Sequence, residues 1–86
     1  MMFRNADRTK AVLRAIGTGE LSGRDLRRRV VGDVWWRRPG FYVYLMGLED
    51  LGLVVGRTVV RHVDGIGNVT ERWFRLSDAG RAAVSA

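Results

Sequence analysis

Residues 39–54 read PGFYVYLMGLEDLGLV. Proline has no N–H to lose in the first turn of a helix, so Pro39 fits a helix start. Leu45 and Leu48 then recur at helical spacing, with Phe41 or Tyr42 one turn earlier on the same face. Gly52 stands where a helix commonly ends in a left-handed residue. The pattern predicts a helix over about 39–51. After Leu53 the period changes, and LVVGRTVVRHV is rich in β-branched residues, as strands are.

Upstream, LSGRD carries a second helix start. Ser22 is the N-cap, Asp25 reaches back in the manner of a capping box, and Leu21 and Leu26 close a hydrophobic staple. Leu26 and Val30 face inward at i, i+4, and Gly32 ends a helix over about 22–31. A first helix over about 8–17 presents Val12, Leu13 and Ile16 on one face. Asp7 or Asn5 caps it, and Gly17 and Gly19 stop it. The segment GDVWWRR, 32–38, is a connector.

Downstream, DGIGN (64–68) is a glycine-rich turn between two strand patterns. In VTERWFRL, Phe74 and Leu76 share one face, with Trp73 and Arg75 on the other. A hairpin wing over about 54–76 follows, then a short helix over 77–85 capped by Ser77. A lone hairpin is marginal, so Phe74 and Leu76 should lean on the helices. The order helix, helix, helix, hairpin, short helix predicts an α+β winged helix-turn-helix fold. Residues 1–86 are expected to form one domain, as their number suits one small core.

Composition narrows the function. The chain has no cysteine, so disulfides and cysteine-ligated zinc are excluded. The longest uncharged run, Pro39–Leu48, is half of what crosses a bilayer. MMFRNADRTK has no apolar signal core, so a cytoplasmic location is expected. The net charge is +6, and it is uneven. Residues 1–38 hold ten basic side chains against four acidic ones, and residues 39–86 hold five of each. A basic half on such a domain suits an anionic partner: nucleic acid first, an acidic protein or membrane surface second. The same charge would also serve a plain solvated face.

Three stretches carry a family resemblance: LSGRDLRR, PGFYVYLMGLEDLGLV and ERWFRLSDAGRAAV. The chain resembles bacterial winged-helix transcription regulators, most closely the PadR-like group, over about residues 9–84. Tyr42, Leu45, Leu48, Glu49, Gly52 and Leu53 take the places of a G-T-L-Y-P-A-L-x-x-L-E-x-x-G-L pattern, with Gly40 one residue nearer the helix than its counterpart. RLSDAGRAAV resembles the R-L-T-x-x-G-R-x-x-L ending shared by several winged-helix families. The resemblance implies a DNA-binding repressor that dimerises. PadR-like proteins use an extended C-terminal helix for this, where barely two turns follow Ser77 here.

In this fold the third helix lies in the major groove and the second crosses the backbone. The third helix offers Tyr42, Val43 and Met46, and almost no polar group to read base edges. Tyr42 and Tyr44 lie about 200° apart around a helix, so one is expected in the core and one outside. Arg37 and Arg38 precede that helix, where its first N–H groups already favour a phosphate. Arg24, Arg27 and Arg28 on the second helix are phosphate candidates. Arg61 and Arg72 on the wing could reach flanking DNA, with Asp64 and Glu71 nearby to oppose it. Trp35, Trp36 and Trp73 are interface candidates, one of the adjacent pair packing the turn. His62 has no second histidine beside it, so no metal is expected, and Glu49–Asp50 read as ordinary exit charges of a helix. No catalytic set or cofactor motif is visible, and the chain is not expected to be an enzyme.

The expectation is a double-stranded-DNA-binding transcription regulator and homodimer, held by arginine–phosphate contacts. The rival is a winged-helix protein-interaction module using its apolar and aromatic surface.

Overall fold

The computed structural model describes residues 5–30 and 38–85, with side chains for 8–30 and 40–85. Four helices and a three-stranded antiparallel sheet follow in the order α1 (Asn5–Ile16), β1 (Glu20–Ser22), α2 (Gly23–Val30), α3 (Arg38–Asp50), β2 (Val54–Val63), β3 (Gly67–Leu76) and α4 (Asp78–Ser85). The winged-helix arrangement predicted from the sequence is the one observed.

α1 begins at Asn5, three residues before the predicted start. Position 7 therefore lies within the first turn and not at the cap. α2 starts as predicted. The Asp25 N–H donates to Ser22 Oγ at 3.1 Å, so Ser22 is its N-cap. The predicted stop at Gly32 lies outside the described residues.

α3 ends in a Schellman motif. The Leu53 N–H reaches the Leu48 carbonyl and the Gly52 N–H the Glu49 carbonyl, each at 3.0 Å. The motif needs a left-handed residue, and Gly52 has φ 78°. This turn docks α4. The Ser77 N–H donates to the Leu53 carbonyl at 3.1 Å and Ser77 Oγ to that of Gly52 at 2.5 Å. Ser77 Oγ also accepts the Gly80 N–H at 3.0 Å, capping α4. The two stretches L-E-D-L-G-L and R-L-S-D-A-G-R are thus in contact: one supplies the carbonyls that the other binds.

β3 is the central strand, in the order β1-β3-β2. The hairpin register runs from Val54↔Leu76 to Val63↔Gly67. The wing turn is therefore residues 64–66, shorter than the predicted DGIGN loop, because Gly67 and Asn68 already pair in β3. β1 was not predicted. It pairs Glu20, Leu21 and Ser22 with Arg75, Phe74 and Trp73. Three residues carry no readable period, and this strand exists because the α1–α2 connection runs along the open edge of β3.

The core unites Val12, Leu13 and Ile16 of α1, Leu26 of α2, Phe41, Leu45 and Leu48 of α3, and Val54, Phe74 and Leu76 of the hairpin root. Val30, Ala83 and Val84 pack partly against it. The tyrosine expectation needs correction. Phe41 is fully buried, and both Tyr42 and Tyr44 are half-buried on the core's margin. On a helix Phe41 falls between them, about 100° from Tyr42 and 60° from Tyr44, so it takes the centre and they flank it.

Candidate nucleic-acid interface

The cap at Ser22 and the inward anchor Leu26 turn the other side of α2 to solvent. Arg24 and Arg28 are exposed there. Arg28 lies 3.9 Å from Asp25. Arg27 is half-buried, and its Nε is buried without a hydrogen-bond partner. Arg29 turns away and donates to the Ala15 carbonyl of α1 at 3.2 Å.

On α3, burying Phe41, Leu45 and Leu48 leaves Gly40, Val43 and Met46 outward. Val43 is 69% and Met46 61% exposed, three residues apart on the same side of the helix. Tyr44 shares a hydrogen bond with Thr9 of α1, which braces α3 against α1. Tyr42 lines a cleft of about 540 Å³ between α2, α3 and the wing, together with Arg24, Met46, Thr70 and Arg72. The structure thus brings four candidates to one place: Arg24, Tyr42, Met46 and Arg72.

The wing cations are engaged with carboxylates. Arg61 Nη2 lies 3.1 Å from Glu71. Arg72 Nη2 holds both oxygens of Glu49 on α3, at 2.9 and 2.8 Å. His62 is 3.4 Å from Asn68 Oδ1 and 3.6 Å from Asp64. Arg57, not a predicted site residue, forks onto Glu20 of β1 through Nε at 2.8 Å and Nη2 at 2.6 Å. Trp73 is half-buried on the outer sheet face, its Nε1–H 3.5 Å from Glu71 Oε1. Trp35, Trp36, Arg37 and the Arg38 side chain lie outside the described residues; Arg38 opens α3.

The Arg57 hydrogen bond holds the Glu20 carboxyl below its ordinary pKa of 4.5, and the charge of Arg75 adds to this against partial burial. A carboxyl lowered by folding contributes stability above its unfolded pKa and loses it as pH falls through the folded value. In an NMR pH titration, Glu20 should therefore titrate below an ordinary glutamate. Arg57→Ala should return it toward the ordinary range. An unmoved midpoint would mean the fork does not persist in solution.

Among the described residues no helix is long and apolar enough to cross a membrane. No family model matches the chain, and no curated protein matches it. Among solved structures it is similar to PadR of Bacillus subtilis, crystallised in complex with operator DNA, with a TM-score of 0.68 and 26% sequence identity. The match covers 91% of this chain and spans 44% of the length of that PadR chain. Helix order, wing and the two interlocking motif stretches agree with that likeness, and the chain has a winged-helix fold similar to that of PadR.

Proposed function

We propose that this chain is a double-stranded-DNA-binding transcription regulator, a cytoplasmic repressor acting as a homodimer without catalytic chemistry. The observation that carries the reading is the convergence of α2, α3 and wing on one cleft, with exposed Arg24 at its edge. The likeness to a PadR solved with operator DNA supports it. In this reading α3 enters the major groove, and Val43 and Met46 meet thymine methyls. Arg24, Arg28, Arg37 and Arg38 neutralise phosphates, and Arg27 assists from the same helix. Arg61 contributes less, because a carboxylate already holds it.

Such binding weakens with salt, with a log–log slope of about −0.9 per phosphate neutralised. A salt series on a labelled duplex checks this, and a slope near zero would sink the mechanism. Arg38→Ala should weaken binding more than Arg81→Ala, since Arg81 of α4 is tied to Asp78 and to the Leu76 carbonyl at the end of β3. Equal effects would move the site elsewhere. A homodimer would select genomic fragments with an inverted repeat.

The second reading is a protein-interaction module. It rests on the apolar strip that Val43 and Met46 expose on α3. Failure to shift random duplex DNA at low salt would favour it.

A further inference from the structure

Arg72 is cationic and stands on the wing, as a phosphate-binding residue would. Its contacts point elsewhere. It projects from β3 on the face that carries Phe74 and Leu76. Nη2 binds both oxygens of Glu49 in the last turn of α3, and Nη1 donates to Thr58 Oγ1 of β2 at 3.2 Å. The guanidinium carbon lies 5.7 Å from the centroid of the Phe74 ring. One side chain therefore ties three elements together.

The neighbouring residues make room for this arrangement. Gly56 is the β2 partner of Phe74. A Cβ there would collide with Arg72 Nη2 and lie 2.8 Å from Glu49 Oε2. The ion pair fills the space that any other residue would claim.

Position in the sheet gives the pair its leverage. β1 pairs with β3 only from Trp73 to Arg75. Arg72 is the first residue beyond it, where three strands become two. Of the hairpin, only Val54, Phe74 and Leu76 are buried in the core, all at its root. Among the described residues, the other carboxylate–arginine pairs lie within α2, within α4 or within the sheet. Only Glu49–Arg72 joins α3 to the wing. Both residues line the cleft whose walls are α3 and the hairpin.

We propose that Glu49 and Arg72 form a clasp that sets the angle of the wing to α3, and that Arg72 is a positioning residue for DNA acting through Glu49. The DNA part rests on the function proposed above. The side chains are 31% and 45% exposed, and ion pairs in such surroundings add little to global stability. Loss of the clasp should therefore change wing geometry and leave the melting temperature almost unmoved.

The chain has no cysteine, so two can be introduced for spin labels, as Val43→Cys in the middle of α3 and Ile66→Cys at the wing tip. Distances between them should form one narrow distribution. Glu49→Gln and Arg72→Gln should each broaden it, and the exchange Glu49→Arg with Arg72→Glu should narrow it again. Unchanged distances in both single variants overturn the clasp, whatever happens with DNA.

The second arm uses duplex binding with the cysteine-free chain. Glu49→Gln removes a negative charge from a surface that faces a polyanion, and charge alone would tighten binding. The clasp predicts the opposite: about tenfold weaker binding, the ratio given by a mid-range coupling between contacting residues. Arg72→Gln should match it, with the salt slope unchanged. Tighter binding by Glu49→Gln, with a slope reduced by about 0.9 in Arg72→Gln, would make Arg72 a phosphate contact and overturn its positioning role. Broadened distances without any duplex binding by the unsubstituted chain would keep the clasp and overturn the DNA reading instead.

Discussion

Phe41→Ala is expected to remove most of the stability of the fold. Phe41 is fully buried, the largest such side chain among the described residues, and sits where α3 meets the other core elements. Phe-to-Ala changes in cores cost about 3–5 kcal/mol, from lost transfer free energy and the cavity left behind. A domain of this size is held by roughly 5–10 kcal/mol. Urea denaturation followed by circular dichroism checks it. Val43→Ala on the same helix is the control, since an exposed substitution stays within about 0.5 kcal/mol. A loss below about 1 kcal/mol for Phe41→Ala would place the ring outside the core.

Gly80→Ala is expected to cost nearly as much, about 3 kcal/mol, although it adds only one methyl group. A Cβ at Gly80 would collide with the Leu53 carbonyl oxygen and lie 3.1 Å from its carbon. Both are backbone atoms, held by the Schellman turn and by the Ser77 N–H, so no side chain can swing away. α4 would have to lift off, breaking the Ser77 bonds to residues 52 and 53. The same substitution at Gly47 makes the contrast. There a Cβ meets nothing within 4 Å, and mid-helix Gly-to-Ala changes stabilise by about 0.5–1 kcal/mol. Thermal melts of the two variants should therefore move in opposite directions. A Gly80→Ala melt at or above that of the unsubstituted chain would mean α4 is not seated on this turn.

The wing arginines show where sequence reading of the candidate site reached its limit. Arg61 and Arg72 were visible as cations near a turn, and Glu71 and Asp64 as opposing charges. That Arg72 would choose Glu49, 23 residues away, was not visible. Glu49 itself read as a helix-exit charge. The choice depends on the strand face of Arg72 and the gap over Gly56, and both require the hairpin to be docked against α3. The candidates on α2 were more legible, because Ser22 and Leu26 fix which side of a short helix faces inward. The tyrosines of α3 were half legible. Helical geometry separated them correctly, and only the packing of Phe41 between them decided that neither takes the centre.

What the sequence determined by itself was everything that a chain writes within one or two turns of helix or strand. Helical and strand periods, the caps at Ser22 and Ser77 and the glycine at 52 are local signals, with energies set by neighbours in the chain. They specify the element order and most of the core, and with it the winged-helix fold. The tertiary structure alone decided β1, the docking of α4 on the α3 exit turn, and the partners of Arg57 and Arg72. A three-residue strand draws its hydrogen bonds from a partner some fifty residues away. An ion pair at the surface forms only where folding has already brought two charges together. These features are consequences of packing, and no local window of the chain contains them.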